Sequence, residues 1–172
     1  WSKGEYANAN QTEDDIAIIA GDANGFGFVT DEAGGTRTSA AVLNAPGGVV
    51  NQAGIITQSS DTDFYTFNVA AGRVTLNATP ATVGANLDLA LELQDAAGQV
   101  VATSNPDLAI DGSISVNVPV GTFFLRVRGT GRGDVLGTGY TAYGSIGAYR
   151  VTGSLPGTTQ APVITSPTAV AA

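Results

Sequence analysis

Residues 87–93 read LDLALEL, four leucines at every second position with Asp88, Ala90 and Glu92 between them. A helix would scatter those leucines around its axis, whereas a strand turns successive side chains to opposite faces. The stretch is therefore predicted as a strand with one face on a core and the other turned away, as in a layered antiparallel sheet. The same period recurs on both sides of it. Toward the N-terminus, residues 49–57 form a candidate strand interrupted by Gly54. In residues 63–69, Tyr65, Phe67 and Val69 share one face, and Phe64, Thr66 and Asn68 share the other. Residues 74–79 alternate Val74, Leu76 and Ala78 inward. Toward the C-terminus, a turn at 95–98 leads into 100–103, and Ile114, Val116 and Val118 alternate in ISVNV. In TFFLRVR (122–128), Phe123, Leu125 and Val127 point inward and Phe124, Arg126 and Arg128 outward. A glycine-rich loop, GTGRGDVLGTGYTAYGSIG (129–147), precedes the last strand, AYRVTGSL (148–155). Short strands at such intervals predict an all-β fold. The expected form is a jelly-roll-like β-sandwich of about eight antiparallel strands with an extended N-terminal lead-in.

Composition excludes most catalytic chemistry. The 172 residues contain no cysteine, histidine or methionine. Zinc sites built on thiolate or imidazole cannot form, nor can a serine or cysteine nucleophile paired with histidine. No zinc is expected in this fragment, and no catalytic residue is identified. Carboxylates, hydroxyls and amides remain, hard oxygen ligands that suit calcium. Fifteen acidic and seven basic residues give a formal charge of −8, with Lys3 the only lysine. A nucleic-acid partner is therefore disfavoured, because phosphate binding needs a basic face. No apolar run reaches the roughly 18 residues of a membrane span, so no membrane partner is expected. A chain starting at Trp1 reads as a fragment of a longer precursor.

The aspartates of SSDTDFYTFNV (59–69) carry two readings. Asp61 and Asp63 are either calcium ligands, projecting carboxylates from alternate residues, or caps of the turn before the strand. On either reading they lie with Phe64 at the outer edge of the sandwich. Phe64, Phe124, Arg126 and Arg128 would then form a polymer-binding face, through ring stacking and bidentate hydrogen bonds. The alternative is that Phe64 and Phe124 lie beneath the lead-in, which must bury Phe26, Phe28 and residues 16–19 somewhere. Tyr149 reads as core. Tyr140 and Tyr143, in the glycine-rich loop, either contact a ligand or pin the loop. The triplet Arg132-Gly133-Asp134 reads as a turn.

Four stretches together resemble the bacterial pre-peptidase C-terminal domain, a β-sandwich appended to secreted peptidases: GIITQSSDTDFYTFNVAAG (54–72), NLDLALELQDAAGQVVATS (86–104), GTFFLRVRG (121–129) and GYTAYGSIGAYRVTG (139–153). The opening WSKGEYANANQTEDDIAII looks like the segment that joins such a module to a zinc metallopeptidase catalytic domain. The resemblance implies a lead-in over residues 1–28, the sandwich over 29–156, and a linker or the start of a further β domain over 157–172. It also implies a non-catalytic module of a secreted, extracellular bacterial protein, with its catalytic domain and an extracellular polymer, protein or polysaccharide, as partners. Related collagen-binding modules bind calcium where lead-in and first strands meet. This implies Asp31, with Glu32 beside it, as partner of Asp61 and Asp63.

Overall fold

The computed structural model describes residues 3–157. A one-and-a-half-turn helix, α1 (Asp15–Ala20), lies in the lead-in. Its N-terminus is capped by Asp14, whose Oδ1 accepts the Ala17 N–H at 2.9 Å. A 3-10 turn (Arg37–Ser39) follows, held by reciprocal bonds between Thr36 and Ser39. The strands are β1 (Ala41–Val42), β2 (Val49–Ile56), β3 (Thr62–Val69), β4 (Gly72–Pro80), β5 (Leu89–Asp95), β6 (Val100–Ser104), β7 (Gly112–Val118), β8 (Gly121–Gly129) and β9 (Gly147–Ser154).

They form two facing sheets, one in the order β1-β3-β8-β5-β6 and the other β2-β9-β4-β7. Every pairing between named strands is antiparallel except that of the two-residue β1 with β3, which is parallel. The fold is the expected β-sandwich, with this short extra strand where the lead-in joins it. Leu87 and Asp88 lie just ahead of β5 because their surroundings already satisfy the backbone there. The Asp88 N–H is taken by Ser145 Oγ, and the Asp88 carbonyl accepts from Thr130 N.

The core follows the alternation. Tyr65, Phe67 and Val69 of β3, Leu89, Leu91 and Leu93 of β5, and Phe123, Leu125 and Val127 of β8 meet Val74, Leu76, Ala78, Ile114, Tyr149 and Val151 of the other sheet. Phe67 and Phe123 are directly opposed and stack at 6.3 Å between centroids. The turn at 95–98 closes through the Gly98 N–H on the Asp95 carbonyl, with Gly98 at φ +85°. The Arg132-Gly133-Asp134 triplet leads into a turn: Arg132 bridges to Tyr140, and Asp134 accepts the Leu136 and Gly137 N–H groups of the turn over 135–138. Residues 158–172, which include the segment read as a following strand, lie outside the described residues.

The outer face departs from expectation in what covers it. Phe64 points outward as its parity requires, yet it is only 8% exposed. Arg126, its cross-strand neighbour, places its guanidinium 5.9 Å from the Phe64 ring centroid. Phe124 is half-buried, with Arg37 at the same distance above it. The apolar lead-in is not the cover either, since Phe26, Phe28, Ile18 and Ile19 are exposed. Arginine stems and guanidinium planes shield these rings instead, as long amphipathic side chains do. Phe64 is thus corrected from an open stacking surface to a ring held under Arg126.

Candidate functional site

Asp63 begins the inward-facing set of β3, and it is fully buried, 0% exposed. This corrects its expected place at the surface edge: it shares parity with Tyr65 and Phe67, and parity prevails over charge. Its Oδ2 accepts from the Tyr149 hydroxyl, and its Oδ1 is buried with no hydrogen-bond partner. Asp31, just past the lead-in, and Asp61 of the turn before β3 converge on it. One carboxylate oxygen from each of the three lies within 4.8 Å of the others. The residues singled out in the sequence for a metal are therefore brought together. Two of them also cap turns. Asp61 Oδ2 accepts the Thr57 N–H at 2.6 Å and the Thr57 hydroxyl at 2.8 Å, and Asp31 Oδ1 accepts the Ala33 N–H at 2.9 Å.

Around this cluster runs a chain of oxygens that the sequence reading did not assemble. Glu32 Oε1 accepts the Ile55 N–H at 3.1 Å and the Tyr65 hydroxyl at 2.9 Å. The Tyr65 and Tyr149 hydroxyls are 2.8 Å apart, and Tyr149 reaches Asp63. The three contacts Glu32–Tyr65–Tyr149–Asp63 need three protons, and two tyrosines supply only two. Tyr65 donates to Glu32 and Tyr149 donates to Asp63, so the 2.8 Å contact between the two hydroxyls is the one left without a proton of its own.

Burial pushes the Asp63 carboxyl up to about 8, reinforced by the charges of Glu32, Asp61 and Asp31 and opposed by the Tyr149 hydrogen bond. Burial likewise raises Tyr65 and Tyr149 well above the usual phenol range, so both keep their protons. No cation offsets the cluster from nearby: the ion pairs among the described residues are Lys3–Asp14 and Arg126–Glu92. Three converging carboxylates, one with a buried orphan oxygen, are hard donors suited to a divalent cation such as calcium.

The glycine-rich loop builds a second polar centre. Tyr140, 39% exposed, donates to Asp88 Oδ2 at 2.7 Å, beneath the Arg132 guanidinium. Asp88 is buried, and its Oδ1 has no partner. A cavity of about 480 Å³ opens between this loop and residues 3–6, with Tyr140 in its wall. Tyr143 also lines the cavity, but it is buried and serves as a pin. It accepts the Ile16 N–H at 3.0 Å and donates to Asp14 Oδ1 at 2.8 Å, fastening α1 to the loop. Of the two alternatives for Tyr143, pinning is the one its contacts serve. Replacing Tyr140 with phenylalanine removes the partner of a buried carboxylate, and the expected cost is about 1–3 kcal/mol. Urea denaturation measures it; a variant as stable as the parent would show that water replaces the hydroxyl.

Fold and site together define a small two-sheet β-sandwich module with a carboxylate cluster at the start of β3, buried at Asp63 and open at Asp31. Residues 61–129 match the model of a family described as the bacterial pre-peptidase C-terminal domain. The matched stretch runs from the turn before β3 through the end of β8, inside the sandwich. No curated protein matches. Among solved structures, the chain is similar to the pre-peptidase C-terminal domain of collagenase from Bacillus anthracis, with 16% identity and a TM-score of 0.45, covering 62% of this chain and 89% of that one. It is also similar to the Yersinia pseudotuberculosis-derived mitogen, with 12% identity and a TM-score of 0.29, covering 55% and 86% respectively.

Proposed function

We propose that this module is an accessory domain of a secreted bacterial zinc metallopeptidase, and that calcium held by Asp31, Asp61 and Asp63 fixes its lead-in against the sandwich. The buried, unpartnered Asp63 Oδ1 beside two further carboxylates carries this reading. Asp31 lies just past the lead-in, while Asp61 and Asp63 border the start of β3, so a shared cation ties the chain at the foot of the lead-in to the sandwich. Calcium supplies the positive charge that offsets the mutual repulsion of the three carboxylates. At a concentration a hundredfold above its dissociation constant it stabilises by about 2.7 kcal/mol, a rise of roughly 5–10 °C in melting temperature for a domain of this size. Melting curves in chelator and in millimolar calcium test this, and Asp63→Asn is expected to abolish the difference. Identical curves would remove the calcium.

A second reading, delivery of the parent peptidase to a polymeric substrate, is favoured by Arg126 and Arg128 on the outer face of the β1-β3-β8-β5-β6 sheet. With Phe64 and Tyr143 buried, Phe124, Arg126, Arg128 and Tyr140 are the accessible members of the candidate surface. Co-sedimentation with insoluble collagen, chitin and cellulose tests delivery. Retention no greater than that of an inert control domain on all three would rule it out.

A further inference from the structure

The outer face of the β1-β3-β8-β5-β6 sheet has a charge opposite to that of the chain. The protein carries −8 overall and six arginines. Three of those arginines, Arg37, Arg126 and Arg128, meet on this face. Arg37 is the best anchored, lying over Phe124 and bonding the Ala96 carbonyl at 3.3 Å. Arg128 donates only to the neighbouring Gly129 carbonyl, at 3.4 Å. Arg126 sits over Phe64 with its Nε buried and unpartnered, and its side chain is 34% exposed. The acids on the same face do not neutralise them. Glu92 reaches Arg126 only at 4.0 Å while also accepting from Gln94, and Asp88 is committed to Tyr140.

A cleft of about 80 Å³ lies against Arg126, Arg128 and Glu92 and is bounded by Thr103, Ser104 and Asn105, so its lining carries two positive charges and one negative. It is far below the few hundred Å³ of a small-molecule pocket and suits a group the size of one acidic side chain. Thr103 and Ser104 end β6, the border strand of this sheet. Arg126 and Arg128 stand two residues apart on one side of β8, about 6.7 Å by strand geometry. That is also the spacing of alternate side chains along any extended peptide.

We propose that this face binds an extended acidic polypeptide segment whose carboxylates, at alternate positions, engage Arg126 and Arg128. The inference rests on the delivery reading and names its substrate class. The planar guanidinium pairs two N–H donors with one carboxylate, so carboxylate is favoured over neutral amide. The matched alternate spacing favours polypeptide over an acidic polysaccharide.

The test titrates the full chain, at low salt, with fluorescein-labelled (Asp-Thr)5, (Asn-Thr)5 and oligogalacturonate. The aspartate peptide is expected to bind at least tenfold more tightly than the asparagine peptide, the range of one or two charge-assisted hydrogen bonds. Arg128→Gln should lose about tenfold and Arg128→Lys less, while Arg73→Gln, on the other sheet, should change nothing. Added salt should weaken binding throughout. Equal binding of the two peptides, an unaltered Arg128→Gln, or preference for oligogalacturonate would each overturn the proposal. Co-sedimentation with collagen separates the two readings. Retention there without aspartate-peptide binding sinks the acidic-segment inference and leaves delivery standing. Tight peptide binding with no polymer retained sinks delivery instead.

Discussion

Calcium binding is expected to strengthen by about thirtyfold between pH 6 and pH 7.5. Asp63 is the reason, since its carboxyl is held up at about 8 and is protonated over that range in the metal-free protein. A cation that takes Asp63 as a ligand must first displace that proton, which costs about one decade in affinity for each pH unit below the pKa. The same proton makes the metal-free domain lose stability as pH rises. In the unfolded chain Asp63 ionises near 3.8, whereas in the folded protein it holds its proton to about 8. Between those values the folded state binds more protons, so the stability fully present below pH 3.8 is lost progressively up to pH 8. Calcium acts in the opposite direction, becoming a better ligand as the proton becomes a poorer one.

Isothermal titration at several pH values, with melting curves in chelator, measures both slopes. Asp63→Asn provides the control, because its amide stays neutral at every pH. Its stability slope in chelator should flatten, and at pH 8 in chelator the variant should melt above the parent. A pH-independent calcium affinity would contradict proton displacement. It would place Asp63 ionised in the metal-free fold.

Much of this arrangement is legible in the sequence, and what is not has identifiable causes. Period-2 alternation is a local property, so LDLALEL and TFFLRVR declare their core faces without reference to the rest of the chain. The same rule places Asp63 inward with Tyr65. Its charge argues for the surface, since a carboxyl is rarely buried without a partner. The partner is Tyr149, 86 residues away. The pairing of β9 between β2 and β4, and the meeting of the two sheets, bring it within reach. The covering of Phe64 by Arg126 depends in the same way on the β3–β8 register, which sets those two residues opposite each other. Tyr143 looks like a loop residue until α1 arrives from 129 positions earlier. The ligand types were thus readable locally, while their burial and partners are products of topology.

Gly54→Ala, a one-methyl change in β2, is expected to lower the melting temperature by roughly 5–20 °C and to weaken calcium binding. Gly54 stands directly opposite Tyr149 in the β2–β9 ladder. A Cβ at Gly54 would lie 2.7 Å from Glu32 Oε1 and closer still to the Cζ and hydroxyl of Tyr149. The Tyr149 ring cannot swing aside cheaply, because it is core and its hydroxyl is bonded to Asp63 and in contact with Tyr65. Overpacking of this kind costs about 1–3 kcal/mol, and opening the buried hydrogen bond about 1–3 kcal/mol more. At roughly 2–4 °C per kcal/mol for a domain of this size, the sum gives the stated range. The glycine that interrupts the β2 pattern is therefore the space in which the Asp63 row is assembled. Gly35→Ala is the matched control, since a Cβ there meets only the Thr62 carbonyl at an ordinary 3.5 Å. A Gly54→Ala protein that melts and binds calcium like the parent would show that Tyr149 is free to move. Asp63 would then be positioned by Asp31 and Asp61 alone.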